Sequence, residues 1–431
     1  MRPTALFRLY RALSALALPF ATRRAVAKLR AGGVSAERAH ERLGHATQLR
    51  PNGPLIWFHG ASVGEAKSVL PVLHRITRDH PDPRLLLTSG TATSAEAVAG
   101  RMPQGAIHQF SPLDGRGPMA RFLRNWRPDL CVLVESELWP NLLDMCAEAD
   151  IPVALLNARL SDGSAQGWQR FPGTAAYVLR GIVMAHCQDA RSRDHLRAMG
   201  LKNAQQGANL KSMMGPPMID AVTRARAHAD LGNRPLWVAA STHPGEEEVV
   251  LASHARLLAD DPDLCLILVP RHPHRAAAVR ALVAKAGLTL AQRSTGDGDA
   301  ATAQIYLADT IGETDLWYTL SPIVFLGGSF TDVGGHTPFE PAAADCAILH
   351  GPHYTNFTEA YARFLAADAS VEVADGAALT PAVHALLRDP DRAATLAVNA
   401  RPLVQSGDAP LGELAARLFS LADTHAKDLH D

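Results

Sequence analysis

Ten short apolar runs, in two sets of five, constrain this chain more than any other feature. The first set covers residues 55–59, 84–89, 131–135, 152–157 and 181–187; the second covers 235–241, 264–270, 304–309, 322–328 and 346–351. Roughly 20–40 residues of helix-like pattern separate most consecutive runs, the signature of βαβ units and parallel sheets. Between the sets, Gly215, Pro216, Pro217, Gly232 and Pro235 mark an interdomain connection. A chain of 431 residues is too long for one ordinary core. The expectation is an α/β chain with two similar doubly wound domains facing each other across a cleft.

Hydrophobic residues make up 47% and charged residues 20%, as in an ordered globular protein. The 42 basic and 43 acidic residues nearly balance, which argues against a nucleic-acid partner. Five cysteines, widely spaced and without a Cys-x-x-Cys pair, read as buried thiols in a reducing compartment. Residues 1–36 differ from the rest. They carry Arg2, Arg8, Arg11, Arg23, Arg24, Lys28 and Arg30, no acid, and an apolar stretch at 12–21. That stretch is shorter than the ~20 apolar residues a bilayer-spanning helix needs. The expectation is a segment lying in a membrane interface; a signal peptide and an ordinary basic packed helix are the rival readings.

Three Ser/Thr-x-x-Glu patterns follow apolar runs, at Ser62–Glu65, Thr310–Glu313 and Thr337–Glu340. Each has the spacing of a capping box, and a helix N-terminus at a strand end can hold an anion. Glu65 and Glu340 therefore each have a structural reading beside a chemical one: Glu65 as cap or reacting group, Glu340 as cap or acceptor from ribose hydroxyls. Glu135 and Glu137 stand where an apolar run meets the expected cleft, implying a cation or a hydroxyl-bearing substrate. Lys211 precedes the connection and could reach either domain, or be a solvated surface lysine. Residues 270–275, Pro-Arg-His-Pro-His-Arg, present Arg271 and Arg275 as phosphate-binding forks or as a solvated basic loop. Asp297 and Asp299 resemble a metal-binding Asp-x-Asp but lie in a polar loop, and nothing requires a metal.

These motifs resemble the 3-deoxy-D-manno-octulosonic acid (Kdo) transferases of lipopolysaccharide synthesis. The matching stretches are 59–65, 134–142, 157–161, 209–211, 240–246, 270–275, 309–313, 327–329 and 334–341. The resemblance implies a GT-B fold, α/β, with two Rossmann-like domains facing a central cleft. It also implies a membrane-associating segment at 1–36, an acceptor-binding domain at 37–211, a linker at 212–234 and a CMP-Kdo-binding domain at 235–431. Glu65 would be the general base, and Glu135 and Lys211 would stabilise the transition state. Pro270, Arg271, Ile311, Gly312, Glu313, Thr337, Pro338, Phe339 and Glu340 would hold CMP. The implied reaction moves Kdo from CMP-Kdo to the tetra-acylated lipid A precursor, with inversion and without metal or cofactor, at the cytoplasmic face of the inner membrane. Thr337 and Phe339 depart from the Asn and Leu usual in the family; Thr, like Asn, can cap a helix. A nucleotide-sugar 2-epimerase of the same architecture and a non-catalytic membrane-peripheral binding module are the rival functions.

Overall fold

The computed structural model describes residues 1–431 apart from 81–82, 136, 208, 214–216, 218, 406–407 and 429–431. The chain forms two compact units, one of residues 1–213 with the C-terminal 407–431, the other of 214–406. The first unit carries β1 (Leu55–His59), β2 (Arg84–Ser89), β3 (Ile107–Phe110), β4 (Leu130–Val134), β5 (Val153–Ala158), β6 (Ile182–Cys187) and β7 (Ala204–Gln206). They pair in parallel in the order β3-β2-β1-β4-β5-β6-β7. The second carries β8 (Leu236–Thr242), β9 (Cys265–Pro270), β10 (Leu290–Gln292), β11 (Ile305–Leu307), β12 (Ile323–Leu326), β13 (Ala347–His350) and β14 (Ser370–Glu372). Its order is β10-β11-β9-β8-β12-β13-β14, also parallel.

Why the strands read as continuous apolar runs is visible in the cores. In β1, Leu55 and Trp57 join one buried cluster while Ile56 and Phe58 join the cluster on the opposite face. In β8, Leu236 and Val238 face one cluster and Trp237 and Ala239 the other. Both faces of each sheet are covered, as parallel sheets require, so every strand position is apolar. Strand order reverses between β1 and β4 in the first sheet and between β8 and β12 in the second. The carboxyl ends of those four strands are where doubly wound sheets hold ligands.

Two expected boundaries change. Residues 407–431 do not belong with the second domain. The helix Asp408–Asp428 places Leu411, Leu414, Ala415 and Leu418 in the same cluster as Ile56, Phe58, Val132 and Val134. The first sheet needs that cover: each buried leucine contributes about 1.5–3 kcal/mol. The expected linker at 212–234 contains a regular helix, Ala221–Leu231, capped by Asp220, which accepts from Thr223 N at 2.9 Å. Its Pro/Gly-rich start, at 214–216 and 218, lies outside the described residues.

The N-terminal segment forms the helix Ala5–Ala31, with Thr4 as its cap and Pro19 inside it. One side is anchored to the first unit. Phe7 and Leu29 are buried, the Tyr10 hydroxyl donates to Asp114 at 2.8 Å, and Thr4 bonds Thr174 at 2.8 Å. The other side exposes Leu6, Leu9, Leu13, Leu16 and Phe20, which at 100° per residue fall in one stripe. Among the described residues, no helix is long and apolar enough to cross a membrane. All five cysteines are free and buried.

Candidate active site

In the first unit, β1 delivers the chain to Ser62, which caps the helix Val63–Ser68 in a complete capping box. Glu65 N donates to Ser62 Oγ at 3.2 Å, and Glu65 Oε2 accepts from Ser62 N at 3.3 Å and from Ala61 N at 2.6 Å. The structural reading of Glu65 is therefore realised, and it leaves the carboxylate half-buried beside two others. Burial, then the charges of Glu137 and Glu135, push its pKa above the ordinary glutamate value, against the pull of the two N–H groups. A carboxylate so placed has more affinity for a proton than one in water, which is what a base needs.

Glu135 comes directly after β4, with φ 57°. Its Oε1 pairs with Lys211 Nζ at 2.6 Å. Lys211 lies in a single 3₁₀ turn, Leu210–Met213, held in place by two asparagines. Fully buried Asn157, at the end of β5 with φ 54°, accepts from Leu210 N at 3.0 Å; Asn209 Oδ1 accepts from Lys211 N at 3.0 Å. A non-glycine residue in the left-handed region costs roughly 1–3 kcal/mol. Two such residues at adjacent strand ends, both aimed at one ion pair, mark a site where geometry outweighs local stability.

Glu137 has its own supports. Trp139 Nε1 donates to its Oε2, and His59 Nε2 lies 3.6 Å from the same oxygen. The His59 ring is fixed from behind, with Nδ1 3.0 Å from Thr88 Oγ1, which also accepts from Trp57 Nε1 at 2.8 Å. Burial raises the Glu137 carboxyl, but the hydrogen bond and charge of His59, with the Trp139 N–H, bring it below the ordinary value. Glu137 is visible in the sequence as one of two acids, without a role; His59 and Asn157 are visible only as polar residues at strand ends.

The second unit solves the same geometric problem with other groups. Glu246, fully buried at the start of the helix Glu246–Leu257, accepts from His243 N at 3.0 Å, Gly328 N at 2.6 Å, Ser329 N at 2.9 Å and Phe330 N at 2.9 Å. One carboxylate thus ties the loop after β8 to the loop after β12. Gly327 permits the approach, since a Cβ there would stand 2.9 Å from Glu246 Oε2. The sequence shows Glu246 only as a dipole-complementing acid. Ser241, at the end of β8, is again left-handed at φ 58°.

Around this clamp, Arg271 is exposed after β9 and its side chain makes no hydrogen bond or ion pair among the described residues; its N–H donates to Thr242 O at 3.0 Å. Arg275, the other expected phosphate fork, is instead paired with the buried carboxylate of Glu247. Nearby, His272 stacks on His274 at 5.4 Å, and His243 meets His272 edge-on at 5.9 Å.

Two of the three expected capping boxes do not form. At 310–313, Gly312 takes φ 86°, so the chain turns before the helix and Glu313 is itself the cap residue of Thr314–Tyr318. Glu313 accepts from Thr310 Oγ1 and holds Arg293 at 2.8 and 3.1 Å; these bonds, Arg293 first, lower its pKa despite partial burial. Ile311 is exposed. At 337–340 the cap residue of the short helix Phe339–Ala343 is Pro338, already helical at φ −79° and ψ −11°. Among the described residues, Thr337 Oγ1 accepts from Phe339 N, at 3.4 Å. Glu340 is then the second residue of that helix, one short of the capping-box position. Phe339 is buried against Phe364, 5.7 Å between ring centroids, so only its backbone can face a ligand.

Asp297 lies 3.4 Å from Arg280, and Asp299 accepts from Ala301 N and the Thr302 hydroxyl. Among the described residues, no group of three or more His, Cys, Asp or Glu side chains is placed to hold a metal ion.

Residues 37–214 match the family described as 3-deoxy-D-manno-octulosonic-acid transferase (kdotransferase). A probable 3-deoxy-D-manno-octulosonic acid transferase, mitochondrial, of Arabidopsis thaliana is 33% identical over 362 residues, covering 81% of each chain. The 3-deoxy-D-manno-octulosonic acid transferase of Haemophilus influenzae is 34% identical over 349 residues, 80% of this chain and 81% of that one. Among solved structures, a UDP-GlcNAc 2-epimerase from Neisseria meningitidis overlays with a TM-score of 0.58 at 11% identity, over 85% of this chain and 99% of that one. A glycosyltransferase from Rickettsia africae gives 0.57 at 12%, over 88% and 100%. The structural likenesses establish the fold, two Rossmann-like units of the GT-B kind, which epimerases and transferases share. Sequence identity over four-fifths of the chain separates those two: this protein belongs to the 3-deoxy-D-manno-octulosonic acid transferase family of glycosyltransferases.

Proposed function

We propose that this enzyme transfers Kdo from CMP-Kdo to a hydroxyl of the tetra-acylated lipid A precursor, with inversion and without a metal, in the first steps of lipopolysaccharide core synthesis. The observation that carries this reading is the gathering of Glu65, Glu135 and Lys211 at one end of the first sheet. Three segments far apart in sequence supply a half-buried carboxylate of raised proton affinity beside an ion pair at 2.6 Å. Glu65 takes the proton of the acceptor hydroxyl as its oxygen bonds the anomeric carbon. Breaking the bond from that carbon to the phosphate leaves CMP, and the single displacement inverts the centre. Lys211, oriented by Glu135, offsets negative charge on the acidic sugar as the transition state forms.

The second unit holds the donor. Arg271 offers a charged fork to the phosphodiester, the left-handed Gly312 opens backbone at Ile311–Glu313, and Pro270 and residues 337–340 complete the nucleotide site, with Glu340 accepting from ribose. Cationic side chains supply the charge that a divalent ion supplies in other transferases. The exposed stripe of Leu9, Leu13, Leu16 and Phe20, flanked by exposed Arg8, Arg23 and Arg24, seats the N-terminal helix on the anionic cytoplasmic face of the inner membrane, where the acceptor resides.

Mass spectrometry of the product from CMP-Kdo and lipid A precursor tests the reaction: the expected product gains one or more Kdo units, and an unmodified acceptor sinks the reading. For the membrane contact, L13D/L16D is expected to keep its fold and lose sedimentation with anionic vesicles; undiminished binding removes that part.

A further inference from the structure

Two imidazoles in the second unit make a contact that the transfer chemistry above does not use. His243, directly after β8, and His336, in the loop after β12, share a hydrogen bond between their Nε2 atoms at 2.9 Å, their rings stacked 5.2 Å apart at 12°. Only one of those Nε2 atoms carries the proton. The ring that donates therefore has a bare Nδ1, and the ring that accepts carries its proton on Nδ1. One added proton goes to the bare Nδ1 and leaves the bond between the rings intact. A second would have to oppose two N–H groups across 2.9 Å. The pair is built to hold one extra proton and no more.

Its setting makes that proton conditional on an anion. Arg271 and His272 face both rings, and Arg275 also faces His243. The facing carboxylate, Glu246, is already bonded to four backbone N–H groups. The Tyr361 hydroxyl donates to the His336 carbonyl at 2.8 Å, and His336 packs on Gly328, where a Cβ would stand 2.9 Å from its Cδ2. Burial first, then the charge of Arg271, pushes His336 down to about 3; burial lowers His243 as well, against the pull of Glu246, so the pair by itself is neutral at physiological pH. Neither Nδ1 has a hydrogen-bond partner among the described residues. In the chain, His336 precedes Thr337, and His243 follows Thr242, whose carbonyl accepts from Arg271 N at 3.0 Å. The pair thus bridges two segments assigned to the nucleotide.

We propose that the His243–His336 pair is a phosphate-recognition element of the donor site, taking up one proton from solvent when the phosphate of a cytidine nucleotide binds beside it and returning it on release. This rests on the donor assignment made above. A phosphate reverses the sign of the local field and presents oxygens to the Nδ1–H groups. Transfer turns the phosphodiester monoanion into a monoester dianion, the bonding electrons staying on the phosphate oxygen. The proton on the pair offsets that added charge, while the acceptor's proton goes to Glu65.

Calorimetry on the full chain tests this with the methyl ester of CMP, a diester that carries no titrating proton near neutrality. Titrations at about pH 6.5, the ordinary imidazole value, in two buffers of different ionisation enthalpy count the protons exchanged. The expected result is net uptake by the wild type, abolished in H336Q and H243Q, with affinity about tenfold weaker in each variant. Binding to the wild type without uptake, or uptake unchanged in both variants, overturns the pair's role and leaves the donor assignment standing. No binding of CMP or its ester to the wild type overturns both. Wild-type binding without uptake overturns the pair's role even if a variant fails to fold. H272Q/H274Q, which leaves the pair intact, is expected to keep the uptake; its loss there assigns the proton to the neighbouring imidazoles and overturns the pair's role.

Discussion

Among the described residues, the first sheet's switch point gathers the carboxylates of Glu65, Glu135 and Glu137 beside the Lys211 ammonium. At the second stand exposed Arg271 and the imidazoles of His243, His272, His274 and His336. Acids are present there too, but Glu246 and Glu247 are fully buried, one bonded to backbone N–H groups and the other to Arg275. The difference teaches that a strand end's net sign is set by which charges are consumed internally, not by composition. The first unit keeps its acids reactive by crowding them; the second ties up Glu246 and Glu247 internally and leaves Arg271 outward. Under the proposed reaction, a neutral hydroxyl that must lose a proton suits the former, and a doubly acidic donor suits the latter.

The largest test of that division is Glu65→Gln. Transfer should fall about 10²–10⁴-fold, the usual contribution of a positioned base, while CMP affinity measured by calorimetry stays unchanged. Stability should not fall with it. The folded-state pKa of Glu65 is raised, so its contribution is fully present below the unfolded value and lost as pH rises through the folded one; at neutral pH the ionised form costs stability that glutamine relieves. A parallel loss of CMP binding would break the division between the units.

Glu246→Ala comes next and should do the reverse. Orphaning buried N–H groups costs roughly 1–3 kcal/mol each, so thermal unfolding should move several degrees lower and CMP binding should weaken more than tenfold. Asn157→Ala removes the bond to Leu210 N that sets the Lys211 turn and puts alanine at φ 54°, where asparagine is better tolerated. It should lower kcat about tenfold, at roughly 1–2 kcal/mol, with the KM for donor little changed. A changed donor KM with normal kcat would mean that Lys211 serves binding instead.

Much of the scaffold behind this division is legible in the amino-acid sequence, because buried parallel strands announce themselves as apolar runs. All ten expected runs are strands within a residue or two. The four strands without such a run, β3, β7, β10 and β14, are the edges of the two sheets, three or four residues long and interrupted by polar side chains such as His108, Gln109, Gln205 and Gln292. Edge strands bury too little to need a continuous pattern. The Ser62 capping box can be read because it is local, whereas Gly312 and Pro338 divert the other two by conformations that spacing does not reveal. The cover that residues 408–428 give the first sheet, and Glu246's clamp on β12's loop, join segments far apart in sequence, which no local pattern encodes.

The smallest effect should come from Glu137→Gln, and it probes the crowding itself. After burial, the Glu137 charge is the largest influence raising Glu65, and Glu137 is kept ionised by His59 and Trp139. Glutamine retains an oxygen for the Trp139 N–H and removes only the charge. Because the base must be ionised, the acidic limb of kcat/KM follows the pKa of Glu65: activity is lost as pH falls through it. Relieving a like charge lowers that pKa, so the limb should move to lower pH while the plateau at higher pH changes less than tenfold. A limb that stays in place, with a plateau falling as far as in Glu65→Gln, would show that Glu137 acts on the substrate directly and that the carboxylates are a reacting pair rather than a base and its neighbour.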